Sequence, residues 1–335
     1  MKKYLITNEG NFYKANLHCH TTVSDGRMTP EEVKNAYKEQ GYSIVAYTDH
    51  DVFIPHPELC EDGFLALNGF EVEINHHTSN IFEEIQTCHI CAVALDPSTE
   101  IQPCFHRSEY AWGNALEWRK QVKFDESKPD YIRQYNGECI TDMMNTFRDS
   151  GFFVTYNHPV WSMENYDNYM GYNGMHAMEM VNYGCVASGY MDRNEPQYDD
   201  MLRGGKRIYC IAADDNHNLG SSFGGYTMIK AEKLEYKTIT KALLDGNFYC
   251  SEHGPAIKEL YVEDGKVFIK TEGAREIYIA RGIRRAGRLC DENCNLTEAS
   301  FTLYDNDIYF RLVVVGKDGK CSYTNAYFID EVLAK

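Results

Sequence analysis

The stretch Asn16-Leu17-His18-Cys19-His20-Thr21-Thr22-Val23-Ser24-Asp25-Gly26, followed further on by Thr48-Asp49-His50, decides how the rest of the chain is read. Side chains alternate between the faces of an extended strand. His18 and His20 therefore point the same way and can grip one ion together, while Cys19 faces the other side. Imidazole and carboxylate in this mixture suit zinc, manganese or iron better than calcium or magnesium.

Working outward, other apolar, β-rich runs carry a ligand type at or near one end. Leu65–Phe70 runs into Glu71, and Cys88–Val93 contains His89. Phe152–Asn157 delivers His158 before Pro159, and Ile208–Ala213 leads to Asp215 and His217. A fold that sets the carboxyl ends of successive parallel strands on one rim gathers His18, His20, Asp25, His50, Glu71, His89, His158, Asp215 and His217. That is more than one ion needs, so two or three divalent transition metals (Zn, Mn or Fe) are implied. His56, His76, His77, His106 and His176 lack such company and are read as ordinary polar or core residues.

The order HxH, SDG, TDH, GxE, a strand histidine, HP and DxH resembles the PHP superfamily of polymerase and histidinol phosphatase domains. The match covers roughly residues 1 to 254. The later words Asn157-His158-Pro159-Val160-Trp161, Ala212 to His217, and Asn247 to Ser251 with Gly254-Pro255 are similar to its CehA/McbA-like branch. The resemblance implies a distorted seven-stranded (β/α) barrel with a trinuclear site. One ion would take His18, His20, Glu71 and Asp215; a second would share Glu71 and add His89 and His158; a third would take Asp25, His50 and His217. Glu73, on the same strand face, is the rival of Glu71, which is preferred because it follows Gly69 as in the family's GxE word.

Seven strands are expected, around 15–19, 43–48, 65–70, 88–95, 152–157, 176–182 and 207–213. Thr29-Pro30-Glu31-Glu32 reads as a capped helix start with Gly41 as its stop. Ile140, Met143, Met144 and Phe147 recur at helical spacing before the His158 strand, as do Ile239, Ala242 and Leu243 before Gly246. Alternation of this kind favours a parallel barrel or doubly wound sheet. Residues 97–138, an insertion rich in aromatics, form either a lid or pocket wall or a surface elaboration. From 256 to 335 only strand signals recur, with hairpin turns at Glu263–Lys266 and Lys317–Lys320, so a small all-β sandwich is expected after a body spanning 1–255.

The 335 residues, 43% of them hydrophobic, are enough for both parts. A formal net charge of −17 argues against nucleic acid as a partner and for a small molecule. No run is long enough for a signal peptide or a membrane span, and the twelve cysteines sit mostly as single residues in apolar runs. A cytoplasmic protein with reduced thiols is the expectation. Cys88-x-x-Cys91 is read as structural, because strand residues three apart face opposite sides. Gly220-Ser221-Ser222-Phe223-Gly224 fits the nucleophile-elbow pattern but lies in a Gly-rich loop, so it is read as coincidence.

The favoured function is a phosphoesterase acting on a small phosphate monoester or nucleotide, in which a hydroxide held between metals attacks phosphorus. Glu71, Asp215 and His217 are the catalytic assignments among the ligands, and Arg27, Arg193 and His253 are candidates for holding the phosphate. The alternatives are a metal-dependent hydrolase of carboxyl or carbamate esters and a non-catalytic binding module. Asp49 is assigned to orienting His50 or a neighbour.

Overall fold

Eighteen strands and a few short helices make up the computed structural model, which describes residues 2–333. The strands are β1 (Lys3–Ile6), β2 (Asn11–Asn16), β3 (Ile44–Tyr47), β4 (Leu65–Asn75), β5 (Thr87–Ala94), β6 (Phe152–Asn157), β7 (Ala177–Asn182), β8 (Tyr209–Ala213) and β9 (Tyr226–Ala231). After them come β10 (Phe248–Ser251), β11 (Ala256–Glu263), β12 (Lys266–Ala274), β13 (Glu276–Arg281), β14 (Gly287–Cys290), β15 (Leu296–Thr302), β16 (Tyr309–Val315), β17 (Cys321–Thr324) and β18 (Tyr327–Phe328). Each of the seven expected strands has its counterpart here, from β2 to β8.

The helices follow local sequence chemistry. Pro30–Glu39 starts on a complete capping box, with the Thr29 side chain accepting from Glu32 N and the Glu32 carboxylate answering the Thr29 N–H. Its apolar side presents Val33 and Tyr37 to the sheet. Gly137–Asp149 buries Ile140, Met143, Met144 and Phe147, and Tyr236–Leu244 buries Ile239, Ala242 and Leu243. The turn between β11 and β12 needs two successive left-handed residues, and Asp264 (φ 48°) and Gly265 (φ 72°) supply them.

The closed barrel does not form. The large sheet runs β14-β13-β16-β17-β10-β9-β2-β3-β4-β5-β6-β7-β8, and β8 at its end has no ladder with β2. The free edge of β2 is taken by β9, paired antiparallel from Asn11↔Ala231 to Ala15↔Thr227. Past residue 16, where that pairing ends, only an isolated bridge joins Cys19 to Asn216. The expected all-parallel order also fails at β5, which runs antiparallel to both β4 and β6. The β4–β5 link is a hairpin-type connection, and only a longer crossover could have brought the strand back parallel.

The β-rich C-terminal part packs as two layers around a core of its own that includes Ile257, Leu260, Phe301 and Leu312, and both layers are tied to the rest of the chain. One of its layers, β1-β11-β12-β15, recruits the N-terminal strand β1. The other layer is continuous with the large sheet through β10 and β17. The principal core holds Tyr309, Val313, Tyr323 and Phe328 together with Phe70, Met144, Val154 and Met178. Among the described residues no helix is long and apolar enough to cross a membrane, and all twelve cysteines are free.

Candidate metal centre

Glu71 leaves the middle of β4, buried to 1% exposure, and meets five histidines. Its Oε1 lies 3.2 Å from His18 Nε2, 3.2 Å from His89 Nδ1 and 3.5 Å from His158 Nε2. Its Oε2 lies 3.3 Å from His20 Nε2 and 3.3 Å from His50 Nδ1. Asp215 Oδ1 sits 3.0 Å from His20 Nε2 and 3.3 Å from His18 Nε2, while His217 Nε2 reaches Asp25 Oδ2 at 2.9 Å. The nine residues quoted as ligand candidates are thus brought together. They form overlapping groups with ligand atoms within 4.8 Å of one another: His20, Asp25, His50 and His217; His18, His158 and Asp215; His50, Glu71 and His89. Cys91, opposite Glu71 across the β4–β5 ladder, joins His18 and Glu71 in a further group, although its CxxC was read as structural.

The backbone aims these side chains by turning sharply as it leaves the strands. His158 and Asp215 carry φ values of 26° and 49°, uncommon for residues with a Cβ and frequent where function fixes the geometry. Gly184 N–H donates to Asp214 O at 2.6 Å, and a Cβ on Gly184 would lie 2.6 Å from Asp215 O, so only glycine lets the two segments approach.

The electrostatics are those of a cation site. Burial opposes a charge on His18 and His20, yet the surrounding Asp215 and Glu71 outweigh it and hold both well above the ordinary histidine range. His158 is raised to about 9 against its burial, chiefly by Glu71 and Asp215. His50 is pushed down to about 3 by burial and by His20 beside it. Glu71, Asp215 and Asp25 are driven up by burial but held well below the carboxylate range by the histidines. Two ring nitrogens, His18 Nε2 and His20 Nε2, face each other at 3.1 Å, and the buried Asp215 Oδ1 and His50 Nδ1, though close to His20 and Glu71, make no aligned hydrogen bond. Orphaned acceptors among converging imidazoles are a donor set that fits divalent ions.

Supporting residues fix this set. Glu179, fully buried on β7, takes His18 Nδ1 at 2.7 Å and the His158 N–H at 3.0 Å, so His18 presents Nε2 inward. It was missed, although an acid in the apolar run Ala177–Val181 was a visible signal. Asn157 Nδ2 donates to Glu71 Oε1 at 3.0 Å. The Asp49 carboxylate makes no hydrogen bond to the His50 ring. It accepts from Thr21 N (2.8 Å), Thr21 Oγ1 (2.9 Å), Ser24 N (3.1 Å) and Ser24 Oγ (2.8 Å), shaping the loop that carries Asp25. Asp49→Ala should weaken metal retention roughly tenfold to a hundredfold without removing a ligand. Competition against a chromogenic chelator measures this, and unchanged affinity would mean that the loop keeps its shape unaided.

The centre floors a cavity of about 340 Å³, whose walls include Trp112, Trp161, Cys185 and Ser221 and, among the described residues, no lysine or arginine. Trp112, from the 97–138 segment, lies 5.5 Å from the His50 ring. None of the three phosphate-holding candidates lines this cavity. Arg27 is exposed and meets His217 only through its backbone, Arg193 is ion-paired to Glu252 at 2.8 Å, and His253 bonds the Phe223 carbonyl beside another surface hollow. Ser222 Oγ donates to Asn218 O at 2.8 Å and does not face the cavity, which leaves the nucleophile-elbow pattern without a nucleophile.

No family model matches the chain. A curated 5'-3' exoribonuclease of Haemophilus influenzae is 36% identical over 66 residues, 18% of this chain and 24% of that protein; the chain thus matches about a quarter of the relative's length. Among solved structures, a two-domain protein of Bacteroides vulgatus, described as containing a predicted PHP-like metal-dependent phosphoesterase, is similar over 96% of this chain and 98% of its own, at 15% identity and a TM-score of 0.46. An amidohydrolase of Chromobacterium violaceum is similar over 70% of this chain and 96% of its own, at 17% identity and a TM-score of 0.41.

Proposed function

We propose that the protein is a metal-dependent hydrolase of PHP type, in the CehA/McbA-like branch, that cleaves a small phosphate monoester or nucleotide at a di- or trinuclear site. The observation that carries this reading is Glu71, one carboxylate shared among five imidazoles with Asp215 and Asp25 close by, an arrangement suited to bridging cations. His18, His20, Glu71 and Asp215 would hold one ion, His89 and His158 a second with Glu71 shared, and Asp25, His50 and His217 a third. Divalent ions bound there would supply Lewis acidity for the attack of water on an ester. The chain's own contribution is to orient the ligands through Glu179, Asn157 and Asp49 and to wall the site with Trp112 and Trp161.

The second reading, a hydrolase of carboxyl or carbamate esters, draws support from the lack of lysine and arginine around the cavity among the described residues, since a phosphate would there rely on the metals for neutralisation. Purified protein should contain two or three transition-metal ions per chain by elemental analysis. It should hydrolyse p-nitrophenyl phosphate in a reaction that chelators abolish and Mn, Zn or Fe restores, with Ser222→Ala as active as the parent. Cleavage of p-nitrophenyl acetate or an aryl carbamate with no turnover of the phosphate would replace the first reading by the second. A metal-loaded protein inert towards all three esters would leave the binding module.

A further inference from the structure

Glu73 lies two residues beyond Glu71 on the same face of β4, about 7 Å further along the strand, and it lines the same cavity. It belongs to none of the converging ligand groups. Its side chain is 24% exposed, and its polar neighbours are His89 Nε2 at 3.9 Å and the Asn75 amide. The nearest guanidinium, Arg133, donates to the Glu73 backbone carbonyl at 2.8 Å but is committed to Asp51, at 2.5 Å, and to the face of Tyr110, at 4.2 Å. Among the described residues the Glu73 carboxylate therefore has no lysine or arginine partner within ion-pair distance. The cavity that it lines also holds two indoles, Trp161 at 5.4 Å from the His89 ring and Trp112 at 5.5 Å from the His50 ring. A carboxylate that shares a cavity with two indoles and has no lysine or arginine within ion-pair distance offers the chemistry that recognises an organic cation.

We propose that Glu73 and the indole walls bind a protonated amine or quaternary ammonium group of the substrate, which makes the substrate a phosphate ester of an amino alcohol. This rests on the phosphoesterase reading above and extends it to the leaving group. Asp25, Glu71 and Asp215 stand among the converging ligands, and Glu73 remains as the cavity carboxylate available to a ligand's positive charge. The absence of basic wall residues among the described residues then has a use, because a lysine or arginine there would repel the substrate's cationic group.

The test uses the full-length, metal-replete protein. Choline alone, which carries no ester, is titrated while tryptophan fluorescence is followed, and kcat/KM is compared for phosphocholine and 3,3-dimethylbutyl phosphate, the isostere whose ammonium is replaced by a neutral carbon. Choline should bind saturably, and phosphocholine should be preferred by roughly tenfold. Glu73→Gln should keep its metal by elemental analysis, lose the choline signal and bring the ratio of the two esters close to one. Failure of choline to bind the parent protein, or a preference that Glu73→Gln leaves intact, overturns the proposal. Loss of metal from Glu73→Gln also overturns it, by assigning Glu73 to the ions. If choline binds through Glu73 while neither ester is hydrolysed, the cation subsite is supported and the phosphoesterase reading falls by itself.

Discussion

Glu71→Gln is expected to strip the protein of most of its metal and to lower hydrolysis roughly a thousandfold. The carboxylate stands within 3.5 Å of ring nitrogens of five histidines, so it is the single anion common to most of the candidate ligand set. Gln keeps the shape but contributes no charge, and two or three cations packed into one cavity need bridging anions between them. Metal-ion stabilisation of an ester's transition state is worth several kcal/mol, and each 1.36 kcal/mol is a tenfold rate change, hence the magnitude. Elemental analysis and kcat on p-nitrophenyl phosphate would be measured together. The decisive contrast is Glu73→Gln, which should retain its ions; if it loses them while Glu71→Gln does not, the register of β4 at the site has been misread by two residues.

That contrast also marks what the sequence could reveal. The positions of seven strands and the nine clustered side chains were legible, because apolar β-rich runs ending in ligand types are local patterns. The direction of β5 was not read, although the sign was present: residues 76–86 carry no helical periodicity, and a parallel return normally needs a crossover element. His89 then sits near the start of its strand and still reaches the rim because β5 runs the other way. Other features depend on contacts between residues far apart in the chain. β1 pairs with β11 across most of the chain's length, and Arg193 is neutralised by a glutamate, Glu252, that no local motif connects to it. The role of Glu179 falls between these cases. A buried acid in an apolar strand announces a partner without naming it, and only the fold supplies His18.

A chain ending at residue 255 should fail to fold, and the full-length protein should unfold in one cooperative transition. The C-terminal residues complete the body in three ways. β17 pairs with β10, from Tyr249↔Thr324 to Ser251↔Ser322. Asn325 accepts from Cys210 N at 3.0 Å and donates to Gly246 O and Phe248 O, each at 3.1 Å, so its loss leaves buried backbone groups unpaired. Arg311, at 2% exposure, bridges Asp199 at 2.8 Å and Glu195 at 2.9 Å on the helix Glu195–Arg203. Asp199 and Glu195 are themselves part-exposed and keep access to water, so Arg311→Leu alone should lower the stability of the whole protein by about 1.5–3 kcal/mol, the order of a hydrogen bond to a charged group. Trp112, Trp118 and Trp161 all precede residue 255, so their fluorescence reports the body while far-ultraviolet circular dichroism reports both parts. Coincident denaturation curves, shifted together by Arg311→Leu, are the expected result. Two separated transitions, with only the dichroism curve moved by the substitution, would establish the C-terminal strands as an independent domain after all.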